Sequence, residues 1–143
     1  MDTLKWDTRF LELATFIAQW SKDPSTQVGA VIVDNNKRIV SLGYNGFPNR
    51  VKDDEQLYNN REEKYKRIIH GEINAILFAN RSLDNCTIYT APFMPCPKCA
   101  GPIIQSGITR VVSYKTNNPR WSEDFCISRE LFLDAGIELV EYE

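Results

Sequence analysis

The segments RIIHGEINAIL and PCPKC contain four residues whose types suit metal chemistry. His70 is the only histidine of the 143-residue chain, Glu72 follows it by two positions, and Cys96 and Cys99 form a C-x-x-C pair. An imidazole and two thiolates supply three ligands to Zn²⁺, and a site with three protein ligands keeps its fourth position open for catalysis. Zinc lowers the pKa of a bound water to about 7, and a neighbouring carboxylate such as Glu72 can then transfer protons. The four residues therefore indicate a hydrolytic zinc centre.

Three other interpretations fit parts of this pattern. A C-x-x-C pair alone is also typical of redox-active dithiols, and a lone histidine at a helix start is usually a surface or core residue. A closed structural zinc site would need a fourth ligand, which Cys86 or Cys126 could supply. The joint pattern of histidine, glutamate and a proline-preceded C-x-x-C favours the catalytic metal. We therefore expect Cys86 and Cys126 to be core residues.

Two helix N-termini must meet for these residues to share one site. Cys96 and Cys99 are three positions apart and face the same way on one helical turn, and Pro97 suits the first turn of a helix. His70 and Glu72 are two positions apart, so their side chains converge only if they stand at the start of a helix. The chemistry therefore requires one helix to begin near His70 and another near Pro97.

The rest of the chain predicts the elements that hold these two helix starts. An amphipathic N-terminal helix has one apolar face, formed by Trp6, Phe10, Leu13, Ile17 and Trp20. Further helices are predicted in NNREEKYKR, from His70 with Ile73, Ile76 and Leu77 inward, from Pro97 to Gly107, and in WSEDFCISRELFLDAG. The predicted strands are QVGAVIVD, RIVSLGYN, CTIYTA, TRVVSY and IELVEY, and residues 46–60 are predicted as a loop.

The order of these elements predicts the fold class. The first two strands are joined by the short turn NNK and should be antiparallel. The later strands alternate with helices, which indicates parallel strands joined by right-handed crossovers. We predict one domain over residues 1–143, an α/β fold built as a three-layer α/β/α sandwich with a five-stranded mixed sheet.

Composition excludes several classes of protein. Hydrophobic residues make up 43% and charged residues 25% of the chain, as in soluble globular proteins with a core. A protein with a formal net charge of −2 is a poor general binder of nucleic-acid phosphates, so no nucleic-acid partner is expected. The charged N-terminus MDTLKWDTRF lacks a signal-peptide pattern, and no membrane association is expected. We expect a cytoplasmic protein, in the host cytoplasm if the source is viral, with reduced cysteines.

Several further segments carry a family resemblance that runs nearly end to end. SKDPSTQVGAVIVD, IVSLGYNGFPN, REEKY, NAI, IIQSGITRVVSY and FLDAGIELVEY, together with the zinc motifs, resemble the deoxycytidylate (dCMP) deaminases of the cytidine deaminase superfamily. SKDPSTQVGA and GYNGFP separate this branch from tRNA adenosine deaminases and free cytidine deaminases. The resemblance implies a cytidine deaminase-like fold and hydrolysis of dCMP to dUMP and ammonia, which supplies thymidylate synthesis. It also implies a homo-oligomer, with a hexamer favoured, activated by dCTP and inhibited by dTTP.

The resemblance also assigns roles at the metal. It implies that His70, Cys96 and Cys99 are the zinc ligands and that Glu72 is the proton shuttle. Some relatives hold a second, structural zinc with additional cysteine and histidine ligands. Because this chain has no spare histidine, one Zn²⁺ per subunit is expected. Mg²⁺ is a candidate companion of an allosteric nucleotide.

Other positions are assigned to the nucleotide by the same resemblance. Asn45 corresponds to an asparagine that holds the nucleoside sugar, although the residue alone would be read as a turn asparagine. Tyr114 corresponds to a residue packed beside the substrate. Lys115 is a candidate phosphate or gate residue or else a solvated charge, and Lys22 is a second phosphate candidate. The predicted segment for the allosteric nucleotide contains Gly43, Tyr44, Asn45 and Gly46.

Two positions depart from the family pattern. The usual motif H-A-E is H-G-E here, so Gly71 has no side chain but keeps the amide that would bind the pyrimidine carbonyl, and it should loosen the helix start. Pro102 lies within the helix after Cys99, where it removes a hydrogen bond to the carbonyl of Lys98 and should bend that turn.

Two rival functions remain open from the sequence. One is a deaminase that acts on another substrate, such as dCTP, a free nucleoside, or a cytosine or adenine base in nucleic acid. The other is a nucleotide-binding protein with zinc and no catalytic turnover. An intact Glu72 favours an enzyme, and a fourth protein ligand to the zinc would favour the nucleotide-binding protein without turnover.

Overall fold

The computed structural model describes residues 2–143, which form six helices and five strands. The helices are α1 (Thr3–Ala18), α2 (Glu55–Asn59), α3 (Arg61–Arg67), α4 (Gly71–Ala79), α5 (Pro97–Gln105) and α6 (Pro119–Asp134). The strands are β1 (Gly29–Val33), β2 (Ile39–Tyr44), β3 (Thr87–Ala91), β4 (Arg110–Tyr114) and β5 (Glu138–Tyr142). Within residues 2–143, no helix has both the length and the apolar character that crossing a membrane requires.

The five strands form one mixed sheet in the order β2-β1-β3-β4-β5. β1 is antiparallel to both β2 and β3, whereas β3, β4 and β5 run parallel. The short turn between β1 and β2 accounts for the hairpin, and the crossovers through α5 and α6 account for the parallel strands. The predicted mixed sheet with helices on both faces is therefore confirmed.

The two faces of the sheet have separate apolar cores. All five residues of β1 are buried, because alternate side chains enter opposite cores. Val31 packs with Phe10 and Leu11 of α1, whereas Ile32 packs in the cluster beneath α4, α5 and α6. The sheet thus separates a face covered by α1 from a face that carries the two helix starts of the predicted site.

Four details of the sequence prediction are wrong. Leu77 is 62% exposed, because the nine-residue α4 has apolar side chains on more than one side and buries only part of them. Trp20 is 53% exposed, because α1 ends at Ala18 and the chain turns away before it. Cys126 lies on the exposed side of α6, whereas Cys86 is buried as predicted. The loop predicted over residues 46–60 contains α2, whose five residues are too few to show helical periodicity.

Helix α5 begins and ends where the sequence predicts. Pro97 stands in its first turn, and Gly107 follows its end with a φ of 94°, in the left-handed region that suits glycine. Pro102 is accommodated within the helix, where its exposed ring faces away from the core. The element that carries both cysteines therefore remains a continuous helix.

Candidate metal centre

Three metal-binding side chains meet where α4 and α5 begin. His70 is the N-cap residue of α4 and Cys96 that of α5, and neither side chain caps its own helix. Cys99 lies one turn further along α5. The Nδ1 atom of His70 is 3.2 Å from the Cys99 sulfur and 3.4 Å from the Cys96 sulfur, and the three ligand atoms all lie within 4.8 Å of one another.

The spacing and chemistry of these donors fit a zinc ion. Around a tetrahedral zinc with bonds of about 2.1 Å to nitrogen and about 2.3 Å to sulfur, nitrogen and sulfur would stand about 3.6 Å apart. The two observed nitrogen–sulfur distances are close to this value. One imidazole and two thiolates are a ligand set that zinc accepts and that harder cations such as Mg²⁺ do not favour.

The arrangement favours an open metal site over the two alternatives from the sequence. Cys86 is buried elsewhere in the core and Cys126 is exposed on α6, so neither belongs to the group of three. A closed structural site would need such a fourth ligand. A redox dithiol would not need His70 in contact with both sulfurs. The geometry therefore favours three protein ligands with one position left for chemistry.

Protons are unevenly distributed over the three donors. A hydrogen bond from the Cys99 thiol, followed by one from His70, lowers the pKa of Cys96 to about 4. The hydrogen bond with Cys96, burial and the charges of Glu72 and Cys96 raise the pKa of Cys99. The hydrogen bond with Cys96 raises the pKa of His70. Because ligands bind zinc in their deprotonated forms, binding a metal here would release protons.

Glu72 lies in the first turn of α4, next to these donors. Glu72 is only 4% exposed, and burial raises the pKa of its carboxyl group to about 7. The proximity of its charge contributes to the raised pKa of His70 and of Cys99. A buried carboxyl group beside the metal ligands, but not among them, is placed to exchange protons with a molecule at the metal.

Glycines allow α4 to lie directly on the sheet. A methyl group at Gly43 of β2 would overlap the Ala75 amide nitrogen and the Gly71 carbonyl oxygen. The segment before His70 is also fixed, because Gly46 and Ile69 exchange backbone hydrogen bonds of 3.1 and 2.8 Å. The position of the histidine thus depends on close backbone contact between α4 and β2.

A cavity of about 290 Å³ reaches the metal ligands. Its walls include two of the three donors, His70 and Cys99, with Lys98 beside them. The remaining wall residues are Tyr65, Ile68, Ile69 and Ile73. The volume is close to the lower limit of about 300 Å³ for small-molecule sites. A small ligand can therefore approach the metal ligands from this side.

Asn45 has a structural environment that the sequence does not predict. Its side-chain oxygen accepts a hydrogen bond from the Val28 amide at 2.9 Å, and its side-chain nitrogen donates to the Thr26 carbonyl at 2.9 Å. The residue is 6% exposed. The amide therefore fixes the loop before β1, and any contact with a sugar would have to share these groups.

The other predicted nucleotide residues lie outside the metal cavity. Tyr44, Asn45, Gly46 and Lys22 line a second cavity of about 190 Å³. The Lys22 ammonium donates to an Asp53 carboxylate oxygen at 2.7 Å.

Gly43, Tyr114 and Lys115 line neither of these two cavities. Tyr114 ends β4 and packs against the core on the α1 side of the sheet. The ammonium of the exposed Lys115 lies 3.4 Å from Glu143. Neither residue of the 114–115 pair is therefore among those that line the cavity at His70 and Cys99.

A buried ion pair supports this region and is not predicted from the sequence. The ammonium of Lys64 lies 3.2 Å from Asp23 and donates to the Ser25 hydroxyl at 2.9 Å, and the side chains of Lys64 and Asp23 are only 6% and 3% exposed. Asp23 also accepts a 3.4 Å hydrogen bond from Asn45. The segments SKDPST and REEKY contain the two partners, but local patterns do not reveal that they meet.

Comparison with known proteins shows which family this chain belongs to. The sequence model described as the cytidine and deoxycytidylate deaminase zinc-binding region matches residues 4–115, which is more than half of the chain. A protein of Aliivibrio fischeri called an uncharacterized deaminase in the luxG 3' region is 47% identical over 138 residues, covering 94% of this chain and 92% of the relative. The deoxycytidylate deaminase of Mus musculus is 41% identical over 142 residues, covering 95% of this chain and 79% of that protein.

A solved structure shares the fold over nearly the whole chain. The dCMP deaminase of cyanophage S-TIM5, in complex with dCMP and dUMP, matches with a TM-score of 0.76 over 99% of this chain and 98% of that chain. The two sequences are 22% identical, so this likeness establishes the shared architecture alone. It confirms the cytidine deaminase-like fold expected from the sequence.

Proposed function

Because the chain belongs to the cytidine and deoxycytidylate deaminase family, we propose that it hydrolyses dCMP to dUMP and ammonia. The observation that carries this proposal is the convergence of His70, Cys96 and Cys99 at two helix starts, with the buried Glu72 in the same turn. These three donors would hold one Zn²⁺ per subunit. The hydrolase activity then depends on what the metal and the carboxyl group each contribute.

The division of labour follows from the residue types. Zinc held here would act as a Lewis acid that makes hydroxide available near neutral pH. Glu72 accepts the proton of the water molecule that adds to C4 of the cytosine ring, and it delivers a proton to N3. It then passes a proton to the amino group at C4, which leaves as ammonia while the ring carbonyl forms. Water supplies all the atoms that the product gains.

Backbone and side-chain amides are proposed to orient the base and sugar. The Gly71 N–H lies in the first turn of α4, where backbone N–H groups have no intrahelical acceptor, and it can donate to the pyrimidine carbonyl. Asn45 is proposed to contact the sugar, with support from its position next to the backbone of Gly71. These assignments place recognition on rigid backbone and leave the proton chemistry to Glu72.

The decisive experiment combines a rate with a metal measurement. The purified zinc-loaded protein should release ammonia from dCMP and form dUMP. Glu72→Gln should keep stoichiometric zinc and lower kcat by about 10²- to 10⁴-fold, because only proton transfer is removed. A Glu72→Gln variant that turns over dCMP at the wild-type rate would remove this role from Glu72.

The same assay separates the rival functions. dCTP, deoxycytidine and single-stranded DNA are offered beside dCMP under identical conditions, and ammonia release is followed. Faster deamination of any of these than of dCMP would assign the site to that substrate. A protein that contains stoichiometric zinc and deaminates none of them would instead be the nucleotide-binding protein without turnover.

Regulation by dCTP and dTTP is part of the proposal. It is supported by the second cavity, whose lining includes Tyr44, Asn45 and Gly46 and shares no residue with the lining of the metal cavity. We expect dCTP to lower the half-saturating dCMP concentration and dTTP to raise it, with Mg²⁺ required for the nucleotide effect. If neither nucleotide changed the half-saturating dCMP concentration, the proposal would be restricted to an unregulated enzyme that supplies dUMP for thymidylate synthesis.

Assembly into a homo-oligomer, with a hexamer favoured, is also proposed. Its support is a run of exposed aromatic side chains, in which the ring centroid of Trp20 lies 5.9 Å from that of Phe16 and 6.1 Å from that of Tyr44. Exposed aromatic groups of this kind are enriched at protein interfaces. Light scattering coupled to size-exclusion chromatography will measure the mass, and a monomer at micromolar concentration would contradict the proposal.

A further inference from the structure

Two arginines from different helices converge on the hydroxyl group of a residue that lines the metal cavity. Arg61 of α3 donates from Nε to the Tyr65 hydroxyl oxygen at 3.1 Å, and Arg120 of α6 donates from Nη2 to the same oxygen at 3.2 Å. The Arg61 guanidinium also lies 5.3 Å from the centre of the Tyr65 ring. Tyr65 lines the cavity that reaches His70 and Cys99. Neither arginine lines the cavity itself, but both guanidinium groups are held against a side chain that does.

Neither guanidinium group has an acidic partner in the part of the chain that the structure describes. No carboxylate of residues 2–143 lies within 4.0 Å of Arg61 or Arg120. Glu63, two positions from Arg61, is paired with Arg67 instead. Arg120 lies in the first turn of α6, which has no acidic residue and where the helix dipole disfavours a cation. Like charges held together in this way cost free energy that a bound anion would offset.

The lysines predicted as phosphate ligands differ from these arginines. Lys22 already pairs with Asp53 at 2.7 Å, and Lys115 lies 3.4 Å from Glu143. An anion at either lysine would have to compete with that carboxylate. The two arginines need not give up a carboxylate, and their planar guanidinium groups match the oxygen geometry of a phosphate.

We propose that Arg61 and Arg120, on either side of the Tyr65 hydroxyl, bind the 5′-phosphate of the nucleotide substrate and so select nucleotides over nucleosides. The proposal rests on the proposed deaminase function, because the metal end of the same cavity then holds the base. Lys98 lines this cavity as a further cation. The two arginines are therefore specificity-determining residues, whereas the metal ligands and Glu72 perform the reaction.

The test compares a phosphorylated and an unphosphorylated substrate. Arg61→Gln, Arg120→Gln and the double variant are assayed with dCMP and with deoxycytidine, and the ratio of the two kcat/KM values is measured. Each single variant should lower this ratio by about 10- to 100-fold through a higher KM for dCMP, because a charge-assisted hydrogen bond is lost. Arg38→Gln, in the exposed turn between β1 and β2, removes an arginine without touching either cavity and should leave the ratio unchanged.

A binding measurement keeps the two proposals separable. Calorimetry with dUMP and with deoxyuridine, on the zinc-loaded proteins, reports phosphate recognition without turnover. A wild-type preference for dUMP that Arg61→Gln and Arg120→Gln abolish supports the phosphate site even if no substrate is deaminated, in which case the deaminase function alone fails. Unchanged dCMP-to-deoxycytidine ratios in an active double variant would overturn the phosphate site while the deaminase function stands. Variants that weaken single-stranded DNA binding and leave dUMP binding intact would also overturn it.

Discussion

Two polar clusters lie on opposite faces of the sheet, and only one of them contains both a charge and its counter-charge. On the α1 face, both carboxylate oxygens of Asp7 accept hydrogen bonds from Arg110, at 2.8 and 2.7 Å. The hydroxyls of Tyr89 and Tyr142 complete the shell at 2.8 and 2.6 Å. On the other face, the metal-binding atoms of His70, Cys96 and Cys99 lie within 4.8 Å of one another, and within residues 2–143 the hydrogen bonds of the His70 ring are with the two sulfurs alone.

The two clusters therefore have different roles: the Asp7 cluster stabilises the fold, and the metal-binding cluster serves function. The Asp7 carboxylate has its counter-charge and its donors within the chain, so this cluster needs nothing further from outside. The metal-binding cluster holds soft donors that compete for protons and whose preferred partner is a cation. A carboxylate that the fold itself surrounds with a counter-charge and donors is thus evidence of a structural role, whereas a group of soft metal-binding donors brought together from two helix starts is evidence of a ligand.

The strongest way to break this comparison is to remove one of the three proposed metal ligands. Cys99→Ser should abolish stoichiometric zinc binding and reduce dCMP deamination by more than about 100-fold, because even changes outside the ligand set cost about 10- to 100-fold. Zinc is measured by elemental analysis and the rate by ammonia release. Cys126→Ser, which replaces an exposed cysteine outside the cluster, should keep both at wild-type values. Stoichiometric zinc in the Cys99→Ser protein would contradict the assignment of the ligands.

Removing the Asp7 carboxylate should produce the complementary result. Asp7→Ala leaves the Arg110 guanidinium, whose side chain is only 16% exposed, with the exposed Glu138 at 3.1 Å as its one remaining acidic partner among the described residues. Loss of the buried partner should cost about 3–5 kcal/mol of unfolding free energy. Urea unfolding measures the loss. Zinc content and kcat of the folded protein should stay unchanged. Glu62→Gln removes an exposed ion pair with Lys66 at 3.9 Å and should cost less than about 1 kcal/mol.

If Asp7→Ala lost its zinc while folded, the two clusters would not be independent. The same holds if Glu62→Gln were as destabilising as Asp7→Ala, because the cost would then not come from leaving a charge buried. Both outcomes are read from the same unfolding curves and metal analyses.

The sequence predicts the parts of the molecule that short-range patterns determine. The apolar run of β1, the C-x-x-C pair after a strand, and Pro97 in the first turn of α5 each carry their own local signal, and the mixed sheet and the two helix starts follow from them. The predicted burial of Leu77 is wrong because the nine-residue α4 has apolar residues on several sides, and a short helix does not show which side meets the core. The predicted burial of Cys126 is wrong because this residue lies on the exposed side of the 16-residue α6. The direction of such helices is set by tertiary packing.

Contacts between distant segments are the part that a single sequence does not reveal. Lys64 meets Asp23 across 41 positions, and Arg120 meets Tyr65 across 55 positions. Charged residues of these kinds are usually solvated, so nothing in their local sequence distinguishes a buried or convergent one. Zinc ligands are easier to predict because their residue types are rare and their spacing is constrained by the metal.

Two glycines provide a further test of this comparison, because each allows a helix to pack closely on one face of the sheet. A methyl group at Gly43 would overlap the backbone of α4, and one at Gly29 would overlap the backbone of α1 at Ala14 and Ala18. Gly43→Ala and Gly29→Ala should each cost about 1–3 kcal/mol of unfolding free energy through overpacking. Only Gly43→Ala should also weaken zinc binding, because α4 begins beside His70.

Competition with a zinc chelator measures this difference between the two glycine variants. Gly101→Ala is the neutral control, since a methyl group there meets nothing within 4 Å in an ordinary helical position. Equal zinc affinities in the Gly43→Ala and Gly29→Ala proteins would show that the seating of α4 does not position the histidine.

The smallest expected effect is the response of the Asp7 cluster to acid. Burial raises the pKa of Asp7, but the hydrogen bonds from Arg110, Tyr142 and Tyr89 outweigh it and hold the pKa below its usual value. A carboxyl group with a lowered folded-state pKa stabilises the protein above its unfolded pKa, about 3.9, and this contribution is lost as pH falls through the folded pKa. The difference in unfolding free energy between wild type and Asp7→Asn should therefore be constant between about pH 5 and 7, where the Asp7 carboxylate is charged in both the folded and the unfolded state. It should shrink below about pH 4. Taking this difference cancels the acid sensitivity of the metal ligands, which both proteins share, so a difference that grew on acidification would show that the Asp7 carboxylate is not held in its charged form by the fold.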